Sequence, residues 1–200
     1  LAEVHHRIKN NMGTIRAVLN LQIESIDEPH AREALADAES RVLSMAVLYD
    51  KLYRTEGYRT LSGDEYLSPL IDEVLANFPN AASVRVSKRI DDFALPADSL
   101  LPLGIIVNEL LTNAMKHAFA GRESGALDIS ATASGSAVTI RIADDGPGFP
   151  DNVDLAKSTG FGLTMIRAMT GQLGGDLRIS GNDGKGTTFV LEFDTGGAAA

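Results

Sequence analysis

The chain contains no cysteine, so it can form neither a disulfide nor a thiolate metal site, and a reducing compartment suits it. Positive charge is scarce. Eighteen Lys and Arg stand against 27 Asp and Glu, for a formal net charge of −9. A surface of that sign excludes DNA, RNA or an anionic membrane as the main partner, because those require a basic face. No apolar run approaches the ~20 residues of a membrane span. No signal-peptide pattern is visible either, since Leu1 opens directly into a polar helical pattern. With no methionine at position 1, the expectation is a cytoplasmic fragment excised from a longer protein, with further segments upstream. Internal repeats are lacking as well. What remains is a chain of 200 residues, 44% hydrophobic. That is enough for one or two domains with a buried core and too apolar for disorder.

The first stretch has helical periodicity. Val4, Ile8, Met12, Ile15, Leu19 and Ile26 recur at helix spacing, and Asp27-Glu28-Pro29 then breaks the pattern. A second stripe follows through Leu35, Ala38, Val42, Met45, Leu48 and Leu52. Two helices with a short connection form an antiparallel hairpin. Such a pair cannot bury its stripe alone, so it predicts half of a four-helix bundle, completed by a second copy. Glu56 to Ser62 carries little periodicity and marks a boundary between domains at 1–61 and 62–200.

The second domain alternates in type. Helices are predicted over 64–78, over 99–119 (with Ser99 and Pro102 at its start) and over 161–173. Strands are predicted over 83–90, 127–133, 138–143, 176–180 and 187–193, with hairpin turns at Ser134-Gly135-Ser136 and Asn182-Asp183-Gly184. Antiparallel strands grouped with helices predict a two-layer α/β sandwich with a mixed, mainly antiparallel sheet, so the whole chain reads as α+β. Gly196 to Ala200 reads as a frayed tail.

Three glycine-bearing segments stand out. Asp144-Asp145-Gly146-Pro147-Gly148-Phe149 ends a strand, Gly160-Phe161-Gly162-Leu163 opens a helix, and Gly184-Lys185-Gly186-Thr187-Thr188-Phe189 enters a strand. Glycine lets backbone approach a ligand, a buried carboxylate can accept from an exocyclic amine, and a helix N-terminus suits phosphate oxygens. Alone, each segment is weak, and an ordinary turn explains it. The fourth element is Asn108-Glu109-Leu110-Leu111-Thr112-Asn113-Ala114-Met115-Lys116-His117. Glu109 and Asn113 lie four apart on one helix face, with Lys116 one turn further. Glu and Asn oxygens suit Mg²⁺, and a lysine suits a phosphate oxygen. The alternative is a solvated helix face. No GxxxxGK[ST] is present, so this is not a P-loop.

In this order and separation, Asn113, Asp144-x-Gly146-x-Gly148, Gly160-x-Gly162 and Gly186-Thr187 resemble the ATP-binding fold shared by gyrase, Hsp90-type chaperones, histidine kinases and the MutL repair family. The resemblance covers about Ser62 to Phe193. It implies that Asn113 coordinates Mg²⁺, that Asp144 holds the adenine amine, and that Gly146 and Gly148 shape the base pocket. It also implies that Gly160 and Gly162, followed by Leu163, close a lid over the phosphates, with Gly186, Thr187 and Thr188 near the nucleotide. Glu109 stands where many histidine kinases carry a second Asn. It is a metal ligand or, as in the ATP-hydrolysing relatives, a base.

The N-terminal segment Glu3-Val4-His5-His6-Arg7-Ile8-Lys9-Asn10-Asn11-Met12 is similar to the phosphoacceptor box H-R-x-K-N of the HWE-like and second HisKA-type histidine kinases. It matches as His6-Arg7-x-Lys9-Asn10. A helical wheel distinguishes the two histidines independently. At about 100° per residue from Val4, the apolar stripe falls within about 20–80°, His5 near 100° on its margin, and His6 near 200° on the opposite face. The acceptor must be reached by an ATP domain, so both arguments select His6. Neutral imidazole is the nucleophile. Glu3, one turn before it, is a candidate to orient the ring. Asn10, one turn after, is a candidate to position water for dephosphorylation.

The resemblance implies an ATP- and Mg²⁺-dependent histidine kinase of a bacterial two-component system. It would phosphorylate His6 and pass the phosphoryl group to an Asp of a response-regulator receiver domain, with a sensor upstream. A homodimer through the hairpin is expected, although some members of this subfamily act as monomers. The rival readings are a phosphotransfer adaptor with a degenerate ATP domain and an ATPase clamp of the same superfamily. The intact glycines and Asp144 count against the first, and the His6 box counts against the second.

Overall fold

The computed structural model describes residues 2–29, 31–32, 34–36, 38–39, 41–42, 45–46, 60–148, 161–181 and 186–196, with the side chains of 2–6 and 9 excepted. The chain divides into two compact units, Leu1–Gly57 and Tyr58–Ala200.

In the first unit, α1 spans Ala2–Ser25. It ends at the 26–28 break, and the described residues from Pro29 to 46 are again helical. Glu28 starts this second run. Its side-chain carboxylate accepts from the Ala31 amide, and its carbonyl accepts from Arg32 N at 3.0 Å. Pro29 takes the first helical position, where its missing N–H costs nothing. Arg16 Nε meets Glu39 Oε1 at 2.7 Å. The two residues lie equally far along the chain from the Asp27–Glu28 break, as an antiparallel hairpin requires. Ile8, Met12, Leu19, Ile23 and Ile26 are half-buried. The sequence stripe placed Ile15 with them, but it is 50% exposed, beside Val18 at 53% and Leu21 at 66%. The described residues of the second run thus leave part of the apolar arc of α1 exposed.

The second unit is built on a five-stranded sheet in the order β2-β4-β5-β7-β6. Its strands are β2 (Val84–Ile90), β4 (Gly125–Ser134), β5 (Ala137–Asp144), β6 (Asp176–Gly181) and β7 (Thr187–Asp194). Only β2 and β4 run parallel, and the other three pairings are antiparallel. One face is apolar and covered: Leu127, Ile129 and Ala131 of β4, Val138, Ile140 and Ile142 of β5, and Phe189, Leu191 and Phe193 of β7 are buried. The residues between them, such as Asp128, Thr132 and Arg141, face solvent. This is the alternation of a sheet with one wet side.

Three helices make the second layer: α2 (Gly63–Ala76), α3 (Ala97–Asn113) and α4 (Phe161–Gln172). α3 lies between the other two and packs against both. That explains why it is apolar nearly all round, with Leu100, Leu103, Ile105, Ile106, Val107, Leu110 and Leu111 buried. Its β-branched run Ile105-Ile106-Val107 would weaken an isolated helix, and tertiary burial overrides that preference. Tyr66 of α2 donates to the Leu100 carbonyl of α3.

The helix begins two residues earlier than Ser99 suggests. Pro96 occupies the capping position, with Pro102 inside the helix. Its far end also differs from the expected α-helix to Phe119. Ala114–Ala118 forms a wide π turn, closed by Phe119 N to Ala114 O at 3.2 Å. Two short strands, β1 (Thr60–Ser62) and β3 (Ala94–Pro96), pair antiparallel and were not expected. Because β1 belongs to the second unit, that unit begins ahead of the 61/62 boundary. Gly63 follows directly, its amide donating to Phe93 O at 2.7 Å, and a Cβ there would lie 2.6 Å from the Phe93 ring.

Candidate nucleotide site

Asp144 ends β5 at 8% exposure. Its Oδ1 accepts from Gly146 N at 2.9 Å and from Thr187 N at 3.2 Å. Both described hydrogen bonds fall on that oxygen, which leaves Oδ2 to accept from a ligand. Burial pushes the Asp144 carboxyl above the ordinary aspartate range. The two backbone amides oppose the shift, Asp145 adds to it, and Arg122 opposes it. An ionised carboxylate here is an acceptor only, suited to an amine donor.

The glycines around Asp144 are there because backbone packs on backbone. A Cβ at Gly146 would lie 2.5 Å from Ala118 Cβ and 2.7 Å from Ala118 Cα. At Gly186, with φ +87°, a Cβ would lie 1.9 Å from the Asp144 carbonyl oxygen. Gly148, with φ +79°, faces the Gly186 carbonyl, 3.2 Å from its would-be Cβ. Three segments distant in sequence thus meet around one carboxylate: the 144–148 turn, the entry to β7, and the end of α3. Thr187 and Thr188 are buried beside it.

The α3 wall carries the polar stripe. Glu109 is 1% exposed, and Asn113 and Lys116 are half-buried. A carboxylate that deep is not a solvated helix face. The π turn also alters the register assumed from sequence. A wider turn advances each residue by less, which rotates Lys116 further from the Glu109–Asn113 line than an α-helix would. Among the described residues, no cluster of three His, Cys, Asp or Glu forms a metal cage. Two oxygen donors on one face, Glu109 and Asn113, fit a cation such as Mg²⁺ that takes most of its ligands from phosphates and water. Gly162 and Leu163 sit half-buried in the first turn of α4, where the positive end of the helix dipole favours an anion.

Other sequence-derived candidates fall elsewhere. Glu3 and His6 lie on the helical backbone of α1, and their side chains are outside the described residues, as is Gly160. Asn10 is exposed on α1, its carbonyl accepting from Thr14 Oγ1 at 3.0 Å. The sequence reading missed Ala118, whose small side chain makes room for Gly146. It also missed Asn80, whose Nδ2 donates to Met115 O at 3.1 Å and Phe119 O at 3.5 Å and so caps the π turn. Both act through contacts with residues far along the chain, which no local pattern encodes.

Residues 3–78 match the family model described as "Histidine kinase", and residues 99–197 match "Histidine kinase-, DNA gyrase B-, and HSP90-like ATPase". The sensor histidine kinase PdtaS of Mycolicibacterium smegmatis is 35% identical over 204 residues, covering 98% of this chain and 40% of that protein. The blue-light-activated histidine kinase 2 of Erythrobacter litoralis is 27% identical over 200 residues, covering 96% of this chain and 56% of that protein. This chain therefore spans less than two thirds of these relatives' length. The solved histidine kinase domain of the Erythrobacter litoralis EL346 blue-light activated kinase superposes with a TM-score of 0.70 at 19% identity, covering 95% of this chain and 96% of that one. That likeness extends to the helical hairpin and the mixed sheet alike.

Proposed function

The chain belongs to the histidine kinases, and on that premise we propose that it is the catalytic core of a two-component sensor kinase, moving the γ-phosphoryl group of ATP onto His6. The observation that carries the reading is the buried Asp144 with Oδ1 held by two amides and Oδ2 left for an amine, in a cradle that added Cβ atoms would fill. The unit Leu1–Gly57 serves as the dimerisation and phosphotransfer hairpin, and the unit Tyr58–Ala200 as the ATP-binding domain.

In this scheme Asp144 accepts from the adenine amine, while Gly146, Gly148 and Gly186 let the backbone close on the base. Thr187 and Thr188 line the same end, and the first turn of α4, with Gly160, Gly162 and Leu163, receives phosphate oxygens. Glu109 and Asn113 would hold Mg²⁺, which when bound would offset charge on the phosphates; Lys116, off their line, would add a positive charge toward the phosphates. His6 attacks the γ-phosphorus in line, so that an N–P bond forms as the bond to the ADP oxygen breaks. The neutral form of the ring, with a free nitrogen lone pair, is the nucleophile. Glu3 orients the ring. The phosphoryl group then passes to an Asp of a receiver domain, with Asn10 positioning water for dephosphorylation.

The exposed Ile15, Val18 and Leu21 support a homodimer through α1, because they form an apolar arc that the described residues of the hairpin do not cover. No helix among the described residues is long and apolar enough to cross a membrane. A cytoplasmic setting supplies the ATP.

Incubation with γ-labelled ATP tests the scheme. Acid-labile, alkali-stable label is expected on the wild type and is expected to be absent from His6→Ala. Nucleotide binding without label would favour an ATPase clamp, and absence of both would favour an adaptor. Loss of label in His5→Ala but not His6→Ala would overturn the choice of acceptor.

A further inference from the structure

We infer that Arg122 is a positioning residue for base recognition: its guanidinium holds the Asp145–Gly146 peptide in the orientation that fixes Asp144 toward the adenine amine. The inference rests on the nucleotide reading above and adds to it a residue outside every motif.

The argument is a chain of contacts. Arg122 Nη1 donates to Asp145 O at 2.8 Å and reaches Asp145 Oδ1 at 3.0 Å and Ala118 O at 3.5 Å. The Asp145 carbonyl and the Gly146 N–H belong to one planar peptide group. That N–H is the one that donates to Asp144 Oδ1 at 2.9 Å. Arg122 therefore grips one end of a rigid plane whose other end pins the carboxylate. A cation on the carbonyl also polarises the amide and strengthens the bond its N–H makes.

Both flanks of the plane are anchored. Asp145 N donates to Ala126 O of β4 at 3.1 Å. Arg122 itself lies over the Phe119 ring at 5.9 Å from its centroid. The ring is wedged where Gly125 has no side chain, since a Cβ there would lie 2.4 Å from it. Arg122 thus joins the end of the α3 wall to the turn that bears Asp144.

The Arg122–Asp145 ion pair is about half exposed at the carboxylate and 36% exposed at the arginine. Pairs of that exposure contribute little, so the backbone carbonyl is the contact that matters. Adenine presents an amine donor where guanine presents a carbonyl acceptor. A misaimed Asp144 should therefore cost ATP more than GTP.

The test is calorimetric binding of ATP and GTP to the full chain. The wild type is expected to prefer ATP. Arg122→Met is expected to lose about five- to tenfold of that preference while its nucleotide-free melting temperature stays close to wild type. Asp145→Asn is expected to lose less, because its carbonyl remains. A folded R122M with the wild-type ATP/GTP ratio would overturn the inference, as would an equal loss for both nucleotides, which marks a purely structural role. A loss in D145N matching R122M would also overturn it, by placing the effect in the side-chain pair. If R122M does not fold, Arg122→Lys carries the same test, since it keeps the charge and loses the planar fork; a reduced ratio supports the inference and a wild-type ratio sinks it. A wild type with no preference for ATP would instead sink the reading of Asp144.

Discussion

The two units differ in what they bury. Every fully buried residue among those described lies in the second unit, from Gly63 onward, and the described side chains of the first are half-buried or exposed. The second unit encloses its own core and so can hold Asp144 and Glu109 in fixed places. Among the described residues of the first, Ile15, Val18 and Leu21 of its apolar arc stay exposed. In the proposed homodimer its stability would vary with concentration.

The largest effect should come from cutting the enclosed core. Leu103 is 0% exposed, and Leu103→Ala should lower the stability of the second unit by about 2–5 kcal/mol. Leu19→Ala, on the half-covered stripe, should leave that transition in place. Thermal unfolding of both variants, followed by nucleotide binding, checks this. Equal losses would end the contrast between the units.

The next effect concerns the site itself. Asp144→Asn places an amide donor where an amine donor must bind, and should weaken ATP about ten- to a hundredfold, the cost of an unpaired donor. Its stability should respond with the opposite sign. A carboxyl raised by burial favours folding while protonated, and that stability is present below its unfolded pKa and lost as pH rises through its folded one. Wild type and D144N should therefore melt alike in acid, with D144N gaining on wild type toward neutral pH. The reverse trend would mean that the two amides outweigh burial. ATP binding by wild type should fall as pH drops through the raised Asp144 pKa, above the usual aspartate range.

The smallest effect on the enclosed unit should come from the open arc. Val18→Glu should change the stability of the second unit by less than about 0.5 kcal/mol. Light scattering should show a dimer in wild type and a monomer in the variant. A wild-type monomer would remove the homodimer from the scheme.

Much of this was legible in the residues. The strands that β4, β5 and β7 form show plain alternation, and the acidic residue and glycines at 144–148 name the turn that bears the carboxylate. What escaped reading depends on distant partners. β1 and β3 are three residues each, too short for any periodicity, and exist through pairing with one another. The π turn is closed by a bond five residues back and capped by Asn80, neither of which alters the apolar spacing of α3. Arg122 stands in an unremarkable polar turn, and only the fold brings it to Asp145. Ile15 sits on the right stripe, yet burial is decided by the width of the neighbour that covers it.

The placement of the β1–β3 ribbon at the entry to the second unit suits it to resist a pull on the chain. The chain enters the second unit through β1, and β3 leads straight into α3, the helix that carries Glu109. A tug on the connecting chain meets the ribbon's cross-links, with Ser62 Oγ on Asp92 Oδ1 at 2.6 Å and Gly63 N on Phe93 O, before any load reaches a helix. The ribbon works like a cable clamp at the wall of an instrument. A pull on the chain would have to peel that ribbon before it disturbed α3 and the Glu109 it carries.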